Sequence, residues 1–102
     1  MTLKAYQQTL QLATLYATSL NAKSGEEQLQ QNIEVIGGKV NIWGSQVFPA
    51  SPPTGMTNST PGGFSGIDTF GVIPNYLYIE QASGTTTSIV VSGVKALPNP
   101  IA

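Results

Sequence analysis

The stretch Asn32-Ile33-Glu34-Val35-Ile36-Gly37-Gly38-Lys39-Val40-Asn41-Ile42-Trp43 carries the clearest local signal in this chain. Two runs rich in β-branched residues flank a Gly-Gly pair, which is typical of a two-residue hairpin turn because both glycines accept positive φ. That turn would pair Val35 with Val40 and Ile33 with Ile42. The four apolar side chains then share one face, so the turn and the alternation predict the same register.

A second hairpin is predicted towards the end of the chain. Residues 76–80 alternate between apolar and polar types, a loop containing Ser83-Gly84 follows, and residues 86–92 resume the alternation. A short loop there would bring the two runs together and turn their apolar side chains inward. The two hairpins predict one core made of Ile33, Val35, Val40, Ile42, Leu77, Ile79, Ile89 and Val91.

The N-terminal residues 1–22 fit two structures. Apolar residues recur at spacings of three and four, which would place them on one face of a helix: Leu3, Tyr6, Leu10, Ala13, Ala17 and Leu20. Several threonines lower the helix propensity, and residues 9–14 also alternate as a strand does. Helix and strand both stay open here, with strand favoured, and the polar residues 21–31 are predicted to form a loop.

Residues 44–74 hold five of the seven prolines and six of the eleven glycines. Long loops in compact domains are usually functional or disordered, and the spaced aromatics here favour an ordered loop that covers a sheet edge or contacts a partner. The tail, residues 93–102, contains two prolines and is predicted to be extended, not a central strand.

These elements predict a single domain over residues 1–102. It would consist of an N-terminal segment, residues 1–22, that is extended or helical, and a β-sandwich core, residues 23–102, that includes the long loop 44–74. The predicted fold class is all-β: a small antiparallel β-sandwich or open barrel built from hairpins.

The composition excludes several kinds of function. Charged residues make up 9% of the chain, the net charge is −1, and the four basic residues are all lysines, which argues against nucleic-acid binding. The chain has no His and no Cys, so thiol nucleophiles, imidazole bases and Cys/His zinc sites are absent. We therefore predict a protein that is not an enzyme, with no catalytic residues, no metal and no cofactor.

The acidic residues do not suggest a catalytic pair. They are Glu26, Glu27, Glu34, Asp68 and Glu80, and they form no cluster in the sequence that would bind calcium. Glu26 and Glu27 lie in a polar stretch, and Asp68 fits a loop role. No apolar run approaches the length of a membrane-spanning helix, and glutamines interrupt the apolar region that a signal peptide would need. No membrane association is predicted.

The order of features resembles a known class of proteins. A Thr- and Leu-rich opening segment precedes the stretch from Gln31 to Gly44, a Pro/Gly-rich middle follows, and Tyr76-Leu77-Tyr78-Ile79 leads into Ala82-Ser83-Gly84-Thr85-Thr86-Thr87. This order, over roughly residues 9–93, resembles that of small β-sandwich virion proteins of tailed bacteriophages, which include capsid decoration (cement) proteins and fibre-like modules. The resemblance implies a location in the virion, the major capsid protein or other virion proteins as partners, and a homo-oligomer, with a trimer as the expected state.

Three hypotheses of function follow. The first is a capsid decoration protein whose partner interface contains large apolar residues of the N-terminal segment and the long loop: Leu3, Tyr6, Leu10, Phe48, Phe64 and Phe70. The second is a tail or fibre component. The third is a carbohydrate- or receptor-binding module, in which Trp43, Tyr76 and Tyr78 supply stacking surfaces, although aromatic residues more often pack in a core or a subunit interface.

Overall fold

A computed structural model describes residues 2–17 and 26–98 of the chain. The part of the chain described contains six β-strands and no helix: β1 (Thr2–Thr9), β2 (Leu15–Ala17), β3 (Glu27–Ser45), β4 (Thr57–Asn58), β5 (Phe64–Thr69) and β6 (Tyr76–Leu97). All strand pairs are antiparallel. The predicted all-β antiparallel fold class is confirmed.

The two longest strands, β3 and β6, form the centre of one six-stranded sheet. One edge of β6 pairs with β3, and the opposite edge pairs with β1 and β2. These two short strands therefore follow one another on the same side of the sheet. β3 pairs with β5 and β4 on the opposite side. The sheet is therefore four strands wide, with two continuous central strands and two interrupted edge strands.

Both predicted hairpins are wrong. β3 does not turn back at Gly37-Gly38, and instead Val35 pairs with Ile89 of β6 while Val40 pairs with Gln81. β6 likewise continues through its predicted loop as one strand. The segments that were expected to fold back on themselves pair with each other along almost their whole length.

The Gly-Gly pair marks a corner in the sheet. Between Val35 and Val40, five residue steps on β3 are matched by eight on β6, and the register shifts repeatedly. In a regular strand, residues five steps apart point to opposite faces. At this corner the irregular backbone turns both valines inward, where they are 2% and 0% exposed. Glycine suits a tight turn and a bulged corner equally, which explains why the local sequence pattern indicated a hairpin.

The side chain of Gln81 spans the three extra residues of β6 at this corner. Its Nε2 shares two hydrogens among three acceptors: the carbonyl oxygens of Lys39 at 2.8 Å and Ser83 at 2.9 Å, and Oγ1 of Thr86 at 2.9 Å. Its Oε1 accepts from the backbone N of Thr86 at 3.0 Å. These hydrogen bonds connect β3 to β6 and hold the extra residues of β6 where the register shifts.

The predicted core is confirmed in full. All eight residues belong to one buried cluster, which Leu10 joins: Leu10, Ile33, Val35, Val40, Ile42, Leu77, Ile79, Ile89 and Val91. The cluster draws on both halves of the bent sheet, residues 27–36 with 88–97 and residues 40–45 with 76–81. Bending at the corner thus encloses a single sandwich-like core with one continuous sheet.

The remaining predictions have mixed outcomes. In the N-terminal segment the strand alternative is confirmed over β1 and β2, while residues 18–22 lie outside those described. The loop prediction for residues 21–31 is wrong from Glu27 onwards, because β3 begins there. The tail prediction is wrong through Leu97, which ends the central strand β6 just before Pro98. The long loop contains β4 and β5, which border β3.

Candidate functional site

The structure separates the six predicted interface residues into two groups. Leu3 is 60% exposed and Phe48 is 64% exposed, so both side chains are available to a partner. Tyr6, Phe64 and Phe70 are half-buried and pack against the core, and Leu10, at 6% exposure, is part of it. The six residues therefore do not form one surface in the single chain.

Three of the four exposed large apolar side chains of residues 44–74 lie in two segments outside the strands, and the fourth, Ile67, lies on β5. Val47 and Phe48 follow the end of β3, and Val72 precedes the start of β6, with exposures of 75%, 64% and 76%. We call these three residues the loop patch. Val47 and Val72 were not among the predicted interface residues, although isolated valines in a Pro/Gly-rich loop are a signal for such a role because no strand requires them.

Hydrogen bonds hold the two segments of the loop patch together. Gln46 Nε2 donates to the carbonyl oxygen of Ile73 at 3.4 Å, and Gln46 Oε1 accepts from the backbone N of Asn75 at 3.1 Å. The amide of Asn75 in turn donates to the carbonyl oxygen of Gln46 at 2.9 Å. The apolar side chains of the patch are therefore carried by loops that are fixed to each other.

The short strand β4 is attached to β3 by side chains as well as by its two ladder pairs. Oγ1 of Thr60 accepts from the backbone N of Ile42 at 2.8 Å, and the backbone N of Ser59 donates to the carbonyl oxygen of Ile42 at 2.9 Å. Asn58 Oδ1 accepts from the backbone N of Thr60 at 2.9 Å, which closes an Asx turn. Backbone and side-chain hydrogen bonds therefore hold this part of the long loop against β3.

A cleft of about 450 Å³ opens between β3, the β4 segment and the segment before β6. Its walls are mainly apolar and include Ile42 and Leu77 of the core, Phe70, Val72 and Pro74, with hydroxyls of Thr57 and Ser59 among them. A neighbouring cleft of about 250 Å³ shares four lining residues with it and adds Phe64. Two of the predicted interface aromatics, Phe64 and Phe70, thus line clefts next to the loop patch.

An aromatic surface lies on the solvent side of the shorter half of the sheet, residues 40–45 with 76–81, which we call the short half. Trp43 pairs directly with Tyr78 across β3 and β6, and Tyr76 lies two residues from Tyr78 on the same face. The rings of Tyr76 and Phe48 meet edge to face with centroids 5.4 Å apart. The structure therefore places the three residues that the sequence suggested for glycan stacking on one face.

Three of the five acidic residues make hydrogen bonds or an ion pair with other described residues. Glu26 Oε1 pairs with Lys95 Nζ at 2.9 Å, Glu80 Oε1 accepts from Trp43 Nε1 at 3.0 Å, and Asp68 Oδ1 accepts from the backbone N of Thr69 at 2.8 Å. In residues 2–17 and 26–98, no group of three or more acidic residues lies close enough together to hold a metal ion.

The arrangement offers binding surfaces, namely an apolar patch beside a cleft and a separate aromatic face. No helix among the described residues is long and apolar enough to cross a membrane. Comparison with known proteins found no matching family model, no curated relative and no solved structure with a similar fold.

Proposed function

We propose that this chain is a non-enzymatic structural protein of a phage virion that decorates the capsid by docking on the major capsid protein lattice. The observation that carries the proposal is the loop patch, in which three large apolar side chains are exposed on loops fixed by the hydrogen bonds of Gln46 and Asn75. Exposed apolar groups on a rigid frame favour protein contact because little conformational entropy is lost on binding.

The neighbouring cleft strengthens the proposal. An apolar cavity next to an apolar patch is the geometry of an interface hot spot, where a side chain of the partner enters the cavity and the patch excludes water around it. Phe70 and Val72 belong to the walls of both clefts, and Val72 also belongs to the patch. One partner surface can therefore contact patch and cleft together.

The two sides of the sheet support a homo-oligomer. Among the described residues, no strand pairs with the outer edge of β1, and β4 and β5 form the opposite side. Unpaired strand edges present rows of N–H and C=O groups that a second copy can pair with. Addition of one copy's β1 to the opposite side of the next is a head-to-tail contact. Such contacts form a ring when the rotation between copies is a whole fraction of a turn, and a rotation of one third gives the trimer expected from the resemblance.

The docking experiment mixes purified protein with undecorated capsids and measures co-sedimentation. We expect the double variant V47S/V72S to lower binding at least tenfold, since each exposed valine removed costs about 1 kcal/mol of apolar contact. The matched control is Leu29→Ser, which removes an exposed apolar side chain, 45% exposed, from outside the patch. Equal binding by the parent and V47S/V72S, with both folded, would exclude the loop patch as the docking surface.

Salt dependence provides an independent test. Asp68, four residues before Val72, is the nearest acidic residue in sequence to the loop patch, and the patch itself carries no charge. Binding should therefore change little between about 0.05 and about 0.5 M salt, because screening acts on charges and not on apolar area. A steep loss of co-sedimentation with salt would contradict the proposal.

A further inference from the structure

The aromatic residues are distributed unevenly between the two faces of the sheet. The buried core cluster is entirely aliphatic, with Tyr6, Tyr16, Phe64 and Phe70 packed at its margin. The other four of the eight aromatic residues, Trp43, Phe48, Tyr76 and Tyr78, lie on or beside the outward face of the short half. Packing of the core does not require them there.

On that face the aromatic side chains form ordered rows. Cross-strand pairing gives one row of Leu15, Tyr78, Trp43 and Asn58 across four strands, and a second row of Ala17, Tyr76 and Ser45. Tyr76 and Tyr78 are two residues apart on β6, so their attachment points are separated by about 6.6 Å. We call the set Trp43, Tyr76 and Tyr78 the aromatic face. All three side chains are half-buried, so each keeps part of its ring surface in solvent.

Contacts at two ends of the aromatic face fix the ring positions. The indole N–H of Trp43 donates to Glu80 at 3.0 Å, and the ring of Tyr76 packs edge to face against Phe48. The structure records no hydrogen bond from the hydroxyls of Tyr76 and Tyr78 to other described residues. The face therefore combines oriented rings with two tyrosine hydroxyls that can exchange hydrogen bonds with a ligand.

We propose that the aromatic face binds a neutral oligosaccharide. The apolar C–H face of a sugar ring packs flat on an aromatic ring, and its hydroxyls exchange hydrogen bonds with tyrosine hydroxyls and side-chain amides such as that of Asn58. Two successive sugar rings would lie on the Trp43–Tyr78 pair and on Tyr76. Because the two rows run across several neighbouring strands, the face suits an extended glycan chain.

Charge decides between classes of glycan. Among the residues of the two rows and their neighbours Asn41 and Glu80, Glu80 is the only charged residue. Without a Lys or Arg there, sialylated or sulfated chains gain no ion pair and face the Glu80 carboxylate. Neutral chains avoid that repulsion and keep the stacking contacts.

The fluorescence of Trp43 reports binding at the aromatic face, since Trp43 is the only tryptophan in the protein. Neutral hexasaccharides of β-1,4-glucose and of β-1,4-N-acetylglucosamine, with a sulfated hexasaccharide as the charged comparison, are titrated while the tryptophan emission is measured. We expect a saturable shift with at least one neutral chain and none with the sulfated one. No change with either neutral chain at millimolar concentration would overturn the proposal.

Variants separate stacking from other effects. Tyr78→Thr removes the ring but keeps a residue that favours strands, and it should weaken the neutral glycan at least tenfold with an unchanged far-UV spectrum. Tyr78→Phe should retain most of the affinity, and Ile67→Ala, an exposed apolar change on the other half of the sheet, should retain all of it. If Tyr78→Thr binds the glycan as the parent does, the proposal is wrong.

Capsid co-sedimentation distinguishes glycan binding by the aromatic face from capsid docking by the loop patch. Tyr78→Thr should still co-sediment with capsids, and V47S/V72S should still bind the glycan. Loss of capsid binding in Tyr78→Thr, with no glycan response in the parent, would identify the aromatic face as a protein contact and overturn the glycan assignment.

Discussion

Gly38 of β3 and Ser83 of β6 are in direct backbone contact at the corner of the sheet. A Cβ atom placed on Gly38 would overlap the carbonyl oxygen of Ser83 and lie 2.8 Å from the backbone carbonyl carbon of Gly84. Neither neighbour is a flexible side chain, so the contact leaves no room for a larger residue. The left-handed conformation expected for both glycines is found only at Gly37, with φ of +101°. Gly38 is required for its size.

Gly38→Ala is expected to destabilise the fold by about 1–3 kcal/mol, because the added methyl group forces the two backbones apart. Gly71→Ala is the matched control, since a Cβ there meets nothing within 4 Å and the residue has no left-handed φ. The control should stay within about 0.5 kcal/mol of the parent in chemical denaturation. Equal denaturation midpoints for Gly38→Ala and the parent would contradict the close backbone contact between Gly38 and Ser83.

Gln81→Glu tests the side chain that spans the corner. The substitution replaces the Nε2 donor with a carboxylate oxygen that faces the carbonyls of Lys39 and Ser83, so both lose a hydrogen bond. We expect a loss of about 1–3 kcal/mol in the free energy of unfolding. The control is Gln7→Glu on the exposed surface of β1, which should change the stability little. A Gln81→Glu protein as stable as this control would contradict the assigned role.

The ion pair between Glu26 and Lys95 joins the start of β3 to the end of β6, and the two side chains are only 13% and 10% exposed. Glu26→Gln leaves the Lys95 ammonium buried and directly opposite Lys4 of β1. We expect Glu26→Gln to lower the free energy of unfolding by about 3 kcal/mol.

Lys95→Met removes the buried charge, so the double variant E26Q/K95M should recover part of the stability lost in Glu26→Gln. Thermal unfolding of the four proteins gives this double-mutant cycle directly. Additive losses would show that the pair makes no net interaction.

Ile42 links the core to the larger cleft, because it is 2% exposed and forms part of the cleft wall. Ile42→Ala should cost about 2–5 kcal/mol through lost apolar burial and an added cavity. Amide hydrogen exchange provides the second measurement: residues of β3 and β6 in the core should exchange among the slowest in the protein. Fast exchange of these amides would argue against the core assignment.

The candidate site was less predictable than the core. Phe48 and Leu3 are exposed as their loop and terminal positions suggested, but Leu10 is buried in the core of its own chain. An alternating strand pattern does not reveal whether the partner of an apolar side chain belongs to the same molecule or to another. The loop patch depends on hydrogen bonds between Gln46 and Asn75, which are 29 residues apart, and no local pattern indicates them.

The amino-acid sequence was sufficient to predict which side chains enter the core, because alternation of apolar and polar residues within a strand has a period of two whatever strand lies beside it. All eight predicted core residues are buried for that reason. Strand pairing, in contrast, depends on contacts between residues far apart in the sequence. Gly37-Gly38 fits both a turn and a corner, and only the long ladder between β3 and β6, with strands on both outer sides, satisfies the backbone hydrogen bonds of each half at once.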